Sequence, residues 1–461
     1  MQKIGIVITD GVGYRNFVMS SFFSYLITQY NQVVIYSGLP KNVYEKNLGS
    51  YKNIIINELI VFEESKINWF YRKLKEVAHM YLHRDFYGIQ DTLERGYPKG
   101  NTKRGLIVKV IYAIAKLFHS EKNIQYYEKR QFHTFRKNPI TISYANLLDE
   151  DQPNLLFFTH QRPPYLAPFL AIAKKKNIKT TSFIFSWDNL ASKGRMLGSF
   201  DGYFVWSKLM KDELLYFYPT VIEKNIKIVG TPQFEPYVMD EYVPNRNQFI
   251  KKFNIDIAKK IICYSCADSS IGINDEAHIR SIMNYMKDKK IQLLVRTSPA
   301  DNGSRFKELV KEFTEIIWNH PKWKLCRDNH VESWSQRIPT KEDIIDLKSL
   351  LKFSDLNINM CSTMSLDFML FDKPVINTVF GNEENGFYND QRFLNYLHYK
   401  YVIDSKAVTI ARDEVELHAQ IEESLSTPSL RALYRKELIN LEIGGVLKGT
   451  SKRIVEALKT L

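Results

Sequence analysis

The sequence predicts an α/β fold made of two domains, each built on a parallel β-sheet. The chain has 461 residues, which is more than one ordinary hydrophobic core accommodates. Short apolar runs alternate with helix-patterned segments in both halves, as in repeated strand–helix units. Hydrophobic residues make up 44% and charged residues 25% of the chain, so a disordered or fibrous class is excluded.

The elements follow from these apolar runs and the turns between them. In the first domain, strands are predicted at 3–8, 32–36, 53–62, 154–160, 179–186, 202–206 and 226–229, with helices at 14–30, 165–176 and 208–217. In the second domain, strands are predicted at 260–264, 291–297, 322–326, 355–359 and 374–379, with helices at 275–287, 349–353 and 364–370.

A polar, proline-containing stretch sets the predicted domain boundary. We expect a first domain at 1–241, a linker at 242–250, a second domain at 251–425 and a helical tail at 426–461. Residues 63–135 break the strand–helix alternation, because they are basic, aromatic and helical in pattern. They are predicted to form a helical insertion in the first domain.

The net charge of +13 is concentrated in this insertion. Between Lys66 and Lys137 there are 16 Lys and Arg against 6 Asp and Glu. Such an excess indicates an anionic partner, and the absence of RRM, KH or helix-turn-helix signatures argues against nucleic acid. The apolar run 106–118 carries Lys109 and Lys116 on one helix face. It predicts either a helical layer over the sheet or docking onto an anionic membrane surface.

Targeting and cysteine patterns predict a cytoplasmic protein. No secretory signal is visible at the N-terminus, and no run of about 18 apolar residues occurs. Cys263 and Cys266 have C-x-x-C spacing without a second pair, so we expect buried thiols. The acidic triplet 149–151 precedes a strand and is predicted to be a solvated loop, and no metal site is expected.

Two groups of residues in the second domain are candidates for binding a donor phosphate. Ser362 and Thr363 follow a strand and open a helix that carries Asp367, which predicts either a phosphate site or a plain helix cap. Arg296 ends another strand, with Ser298 close behind it. An arginine there can clamp a phosphate, although an ion pair is an equal alternative.

Candidate acceptor and catalytic residues lie in the first domain. Trp187, Asp188, Asn189 and Lys193 form a loop suited to deprotonating a hydroxyl beside an anionic donor, or simply an Asx-turn.

The remaining candidates of this domain also follow predicted strands. His160 can be a base or a structural histidine. Asp10, Gly11 and Gly13 lack the full G-x-G-x-x-G pattern and suit an acceptor-binding loop. Gly230 and Thr231 end the last strand of this domain and are assigned to nucleotide binding.

The order of these residues resembles a known group of enzymes. Over about residues 150–385 the chain is similar to the CDP-glycerol glycerophosphotransferases and related capsule or O-antigen glycosyltransferases. The motifs that carry the resemblance are Trp187-Asp188, Lys193-Gly194, Trp206-Ser207, Gly230-Thr231-Pro232, Arg296, Pro299, Ser362-Thr363, Asp367 and Pro374. The resemblance implies the GT-B fold, in which two Rossmann-like domains face each other across a cleft.

The resemblance also implies roles and shows departures. It places Asp188 as base or acceptor contact, with Arg296, Ser362 and Thr363 around the donor phosphates. Asp188-Asn189 stands where the phosphotransferases usually have His-Gly, and Ser298 stands where they have His. Both departures favour a sugar transferase over an alditol phosphotransferase.

We therefore expect a glycosyltransferase that uses a nucleotide-sugar donor and a growing, lipid-linked surface polysaccharide as acceptor. It should need no metal or cofactor and should lie peripherally on the inner face of the cell membrane. Inversion is preferred, because the only Glu pair spaced like that of retaining GT-B enzymes is Glu414/Glu422, far down the tail. The alternatives are a CDP-alditol phosphotransferase and a non-catalytic protein that binds an anionic polymer or membrane.

Overall fold

The chain folds into two compact units. The computed structural model describes residues 2–299, 301–330, 332–381 and 390–461. Unit 1 comprises Met1–Glu235, Cys326–Gln336 and Glu442–Leu461, and unit 2 comprises Pro236–Leu325 and Arg337–Leu441. The chain thus returns to unit 1 twice after leaving it.

Unit 1 is built on a seven-stranded parallel sheet. Its strands are β1 (Lys3–Ile8), β2 (Gln32–Ser37), β3 (Ile54–Glu58), β4 (Leu155–Phe158), β5 (Lys179–Phe183), β6 (Gly202–Val205) and β7 (Ile226–Ile228). Their order is β3-β2-β1-β4-β5-β6-β7. The central strands are buried along nearly their whole length, as expected for a parallel sheet covered on both faces. The order reverses between β1 and β4, which is where ligands bind in such sheets.

Helices cover this sheet and form the predicted insertion. They are α1 (Gly11–Gly13), α2 (Phe22–Gln29), α3 (Glu45–Leu48), α4 (Lys66–Leu82), α5 (Tyr87–Arg95), α6 (Lys103–Leu117), α7 (Glu121–His133), α8 (Pro139–Asp151), α9 (Ala167–Lys175), α10 (Asn189–Ser192) and α11 (Lys208–Phe217). Ser65, Thr102 and Ser120 begin α4, α6 and α7, because each hydroxyl accepts a free amide of the first turn. The helical character of 63–135 is confirmed, whereas the acidic triplet 149–151 ends α8 and is not a loop.

Unit 2 contains a second parallel sheet and a short antiparallel pair. Its strands are β8 (Lys260–Ser265), β9 (Ile291–Arg296), β10 (Ile317–Asn319), β11 (Trp323–Leu325), β12 (Arg337–Pro339), β13 (Leu356–Asn359), β14 (Val375–Thr378) and β15 (Thr409–Ala411). The parallel sheet has the order β10-β9-β8-β13-β14-β15, so its order reverses between β8 and β13. The predicted strand at 322–326 is not in this sheet, because β11 pairs antiparallel with β12.

The remaining helices follow in unit 2, and the last of them belongs to unit 1. They are α12 (Arg246–Phe253), α13 (Asp275–Met286), α14 (Lys307–Glu312), α15 (Lys341–Phe353), α16 (Met364–Met369), α17 (Leu397–Asp404), α18 (Glu414–Ser426), α19 (Ala432–Ile443) and α20 (Thr450–Leu458). In unit 1 the buried Glu235 carboxylate accepts the Ser451 amide at 3.1 Å, at the start of α20.

These units differ from the expected boundaries at several places. Residues Cys326–Gln336, expected within the second domain, belong to unit 1. α12 starts inside the expected linker 242–250, and the end of the expected tail 426–461 packs with unit 1. Among the residues that the structure describes, no helix is long and apolar enough to cross a membrane.

Candidate active site

The carboxyl ends of β1 and β4 bring Asp10 and His160 together. His160 Nδ1 lies 3.2 Å from Asp10 Oδ2. Asp10 also accepts hydrogen bonds from the Gly13 amide at 2.8 Å and the Thr9 hydroxyl at 2.9 Å. Because neighbouring parallel strands end at the same edge, two residues 150 positions apart become partners. The pair lies where the strand order of unit 1 reverses.

The ring of His160 is held in one orientation. It stacks on Phe185 with ring centroids 3.9 Å apart, while Asp10 binds Nδ1. Burial lowers the pKa of His160 below its ordinary value, and the hydrogen bond and charge of Asp10 only partly oppose this. The imidazole is therefore neutral at neutral pH and can take up a proton at Nε2.

Asp10 is arranged to remain ionised beside this ring. Burial acts to raise its pKa, but hydrogen bonding and charge from His160, with the Gly13 amide and Thr9 hydroxyl, bring it below its usual value. An ionised carboxylate at Nδ1 stabilises an imidazolium and fixes the tautomer of the neutral ring. The pair therefore has the parts of a general base and its orienting group.

The glycine loop predicted to bind the acceptor lies against this pair. A Cβ atom at Gly13 would stand 3.1 Å from the Thr159 hydroxyl and 3.6 Å from Asp10 Oδ1, so a side chain there would crowd the end of β4. Gly11 is also buried in the same turn, which forms α1. The three predicted residues Asp10, Gly11 and Gly13 thus lie together with His160.

The loop after β5 is tied to the loop after β4 by Gln161. The Gln161 amide donates to Asn189 Oδ1 at 3.0 Å, and its oxygen accepts the Phe185 amide at 3.1 Å. In the same loop the half-buried Asp188 lies 3.5 Å from Lys193 Nζ. Sequence reasoning missed Gln161, although a polar residue directly after a buried strand was the available signal.

Trp187 is the remaining residue that we predicted in the loop after β5. Its side chain is almost fully buried, at 4% exposed. It therefore packs into unit 1 and leaves little surface for contact with an acceptor.

The segment Cys326–Gln336 belongs to unit 1, although in the sequence it lies between β11 and β12 of unit 2. It adds a further polar group near this site. The Gln336 amide donates to the Gly38 carbonyl at 3.3 Å, beyond the end of β2. Burial raises the pKa of Glu332, and the charge of Asp10 raises it further. Glu332 was not predicted, because nothing in its local pattern connects it with the first domain.

Unit 2 presents a buried amide and hydroxyl network at the carboxyl ends of β13 and β14. The Asn359 side-chain oxygen accepts the Ser362 amide at 2.8 Å and the Asn377 amide at 3.1 Å. The Asn359 amide donates to Ser365 Oγ at 3.1 Å, and the Tyr399 hydroxyl donates to Asn377 at 2.8 Å. These bonds fix the turn that follows β13.

The turn itself carries the predicted donor residues Ser362 and Thr363. Both are half-buried. Ser362 Oγ accepts the Met364 amide at 3.3 Å, and Thr363 holds the N-cap position of α16 without a side-chain capping bond. Cys361 has a φ of 48°, which turns the chain sharply out of β13. Asp367 is buried behind the turn and accepts a hydrogen bond from the Tyr237 hydroxyl.

Arg296 is placed differently from the expectation. Its guanidinium is buried, lies 3.1 Å from both carboxylate oxygens of Asp343 and also donates to Asn319. The ion pair that we gave as the alternative is thus present, although it is buried, and we assign Arg296 a structural role within unit 2. Ser298 is half-buried, and its carbonyl accepts the Asp301 amide at 2.9 Å.

Gly230 and Thr231 also occupy a structural position. Gly230 has a φ of 80°, and a Cβ atom there would approach Arg453 Nη2 to 3.1 Å. Thr231 is fully buried beside it. Gly230 therefore lies against α20, and the predicted nucleotide contact of the two residues finds no support.

The thiols and acidic groups offer no metal-binding arrangement in the described ranges. Cys263 and Cys266 are buried free thiols, as predicted, and Cys326 and Cys361 are half-buried. Among the described residues, no three or more His, Cys, Asp or Glu side chains are grouped so that they could hold a metal ion.

Comparison with known proteins relates the chain to solved structures only. No protein-family model matches it, and no curated protein sequence matches it. The Staphylococcus aureus MnaA–UDP co-structure matches with a TM-score of 0.55 and 11% identity, over 100% of this chain and 96% of that one. The Neisseria meningitidis UDP-GlcNAc 2-epimerase bound to UDP-GlcNAc matches with the same TM-score and identity, over 100% of both chains.

A third match comes from plants. Arabidopsis thaliana UGT89C1 complexed with quercetin aligns with a TM-score of 0.50 and 11% identity, over 99% of each chain. At such identities the likeness establishes the fold alone. Together with the two parallel sheets, it shows that this chain has the GT-B α/β fold, which confirms the predicted fold class. The finer resemblance to the CDP-glycerol glycerophosphotransferases stays a prediction.

Proposed function

We propose that the protein is a glycosyltransferase that transfers a sugar from a nucleotide-activated donor to a hydroxyl acceptor. The observation that carries the proposal is the Asp10–His160 pair at the carboxyl edge of the unit 1 sheet. A neutral, oriented imidazole beside an ionised carboxylate is the equipment that deprotonation of a hydroxyl requires. The GT-B fold is consistent with this chemistry.

The proposed step is a direct displacement. The acceptor oxygen attacks the anomeric carbon of the donor sugar while its proton passes to His160 Nε2. The bond between that carbon and the donor phosphate oxygen breaks, and the nucleoside diphosphate leaves with the electron pair. Asp10 stabilises the imidazolium that forms. A single displacement of this kind inverts the anomeric configuration.

Asp188 remains the second candidate for the base. It follows β5, two strands from β1 in the sheet, and its carboxylate lies near Lys193. The resemblance to the glycerophosphotransferases supports this assignment. His160 is preferred because its surroundings both orient the ring and keep it neutral.

The donor is proposed to bind through the turn after β13 in unit 2. Ser362 and Thr363 offer hydroxyls there, and the Asn359 and Asn377 network holds the backbone in place. Fixed neutral dipoles of this type stabilise a diphosphate with little reorganisation. Arg296 is not part of the proposed donor site.

The acceptor is proposed to be a growing, lipid-linked surface polysaccharide, handled at the inner face of the cell membrane. The resemblance of the motifs at Trp187–Lys193 and Ser362–Pro374 to capsule and O-antigen transferases supports this substrate class. Transfer without a metal or other cofactor belongs to the same proposal.

A nucleotide screen tests the proposal first. Thermal stability is measured with UDP, GDP, CMP and CDP, and then with the nucleotide-sugars of whichever base stabilises the protein. Selective stabilisation by CDP would favour the CDP-alditol phosphotransferase alternative. No response to any nucleotide, with salt-sensitive binding to anionic polymers, would replace the enzyme by a non-catalytic binding protein.

A second assay separates transfer from isomerisation. Because several of the matching structures, including the one from Neisseria meningitidis, are named as UDP-GlcNAc 2-epimerases, the stabilising nucleotide-sugar is also incubated alone. Formation of its C2 epimer without any acceptor would overturn the transferase proposal. Consumption of donor only when a glycan acceptor is added would support it.

A further inference from the structure

Helix α6 in the insertion turns an apolar face outward. Leu106, Ile107, Val110, Leu117 and the following Phe118 are each between 48% and 75% exposed. Their spacing of three and four residues along α6 places the helical members on one side. These five residues are called the α6 face below. Single exposed apolar side chains are ordinary, but a contiguous row on one helix is not.

The opposite side of α6 is well packed, so the outward face is not the result of a loose helix. Ile111, Tyr112 and Ala115 are buried, and the Tyr112 hydroxyl donates to the Leu93 carbonyl at 3.0 Å. Thr102 caps the helix by accepting the Gly105 amide at 3.0 Å. The helix is therefore held in place by its buried side, and the α6 face remains exposed.

Positive charge surrounds the α6 face. Between Glu94 and Glu121 the chain has six Lys and Arg and no acidic residue. Lys103 and Lys116 lie near the two ends of the helix and are exposed. Elsewhere in the insertion, charge is partly used internally, since Arg72 pairs with Glu64 and Glu76. Lys103 and Lys116 are thus available to a partner beside the α6 face.

We propose that the α6 face docks onto the surface of an anionic lipid bilayer. Its apolar side chains enter the boundary between headgroups and acyl chains, and its lysines contact the anionic headgroups. A second copy of this chain fits the face poorly, because it would bring two rows of lysines together. This inference concerns where the protein works, and it does not depend on the proposed transfer reaction.

Vesicle binding by the full-length protein tests the proposal. Co-sedimentation is measured with vesicles of phosphatidylcholine alone and of phosphatidylcholine mixed with phosphatidylglycerol. We expect binding to the mixed vesicles and a decrease of roughly tenfold or more in L106E/V110E, because charges replace the inserted side chains. K103Q/K116Q should lose the preference for the mixed vesicles.

Matched controls come from unit 2. Ile257 and Val415 are 75% and 77% exposed, more than Leu106 and Val110 at 50% and 53%. The double variant I257E/V415E adds the same charge at exposed apolar positions and should bind as the unchanged protein does. Equal binding by L106E/V110E would overturn the proposal, and so would the absence of binding by the unchanged protein. A dimer in analytical ultracentrifugation that L106E/V110E converts to monomer would assign the face to self-association instead.

A transfer assay with a water-soluble acceptor keeps this result distinct from the proposed function. L106E/V110E should retain transfer to that acceptor while losing vesicle binding. Loss of both would indicate misfolding, which circular dichroism of the variant checks, and in a folded variant it would count against a separate docking surface.

Discussion

The two sheets end in carboxyl edges that have the same topology and different chemistry. In unit 1 the edge at β1 and β4 carries an ionisable pair, Asp10 and His160. In unit 2 the edge at β13 and β14 carries Asn359, Asn377 and Ser365, which are neutral. The first pair can move a proton, whereas these three side chains offer fixed hydrogen bonds. We infer that catalysis and donor binding are divided between the units in this way.

The strand order explains why both edges are candidates. In each sheet the first strand lies between its successor and a later strand, so the loops at the reversal separate and leave a crevice. The residues that follow the central strands then decide the chemistry. Asp10 is the second residue after β1, and the second residue after β8 is Ala267, which cannot ionise.

The largest expected effect comes from removing the base. In H160N the side chain keeps some polarity but cannot take up the proton, so kcat should fall on the order of 10²–10⁴-fold. Binding of the nucleotide-sugar, measured by calorimetry, should be unchanged because the proposed donor site lies in unit 2. If H160N keeps its turnover while D188A loses it, the base is Asp188. The ionisable group that distinguishes the unit 1 edge would then lie after β5 and not after β1 and β4.

Replacing the carboxylate of Asp10 tests its effect on the pKa of His160. The charge and hydrogen bond of Asp10 raise the pKa of His160, so in D10N that pKa falls further below its ordinary value. A base works in its unprotonated form, and the acid limb of kcat/KM should therefore move to lower pH. At the plateau, turnover should still fall roughly tenfold to a hundredfold, because the imidazolium loses its counter-ion. A profile identical to that of the unchanged protein would contradict the pairing.

A smaller effect is expected at the neutral edge. S362A/T363V removes two hydroxyls from the turn after β13, and the donor Kd should rise roughly tenfold through the loss of hydrogen bonds to a charged group. Saturating donor should restore most of kcat. S298A serves as the control, since Ser298 is half-buried in a different loop of unit 2. A large fall in kcat with unchanged Kd would show that this edge takes part in the chemistry itself.

Local elements could be predicted from the sequence where periodicity is strong. The strand at 3–8 and the helix at 208–217 were predicted with the bounds that the structure gives. Their apolar spacing and the turns beside them determine these elements without tertiary help. The two-sheet architecture follows from the same alternation.

The partnership of Asp10 with His160 could not be predicted, although both residues were candidates. Helices α4 to α8 separate β1 from β4 in the chain, and only the strand order makes the two strands neighbours. The buried ion pair of Arg296 could not be predicted for a related reason, because its partner Asp343 lies 47 residues further along the chain. The position of a residue at the end of a strand predicts the edge of the sheet on which it lies, but not the side chain that it contacts.

The smallest effect on turnover is expected for a substitution of Glu213, a buried carboxyl group in helix α11 of unit 1. Burial raises the pKa of Glu213 to about 8, and the charge of Asp188 adds to this. The folded chain therefore keeps a proton that the unfolded chain releases above about pH 4.5. This contribution to stability is complete below that pH and is lost as the pH rises toward 8.

In E213Q the pH-dependent loss should disappear. The variant should become more stable than the unchanged protein between about pH 5 and 8, by a difference that grows with pH to on the order of 2–4 kcal/mol. Thermal unfolding across this range measures the difference, and turnover should change by less than about twofold because the base is His160. E223Q, at an exposed position, should show no such trend. Equal pH dependence of stability for E213Q and the unchanged protein would mean that Glu213 is ionised in the folded chain. The difference between the two sheet edges would then rest on the Asp10–His160 pair alone.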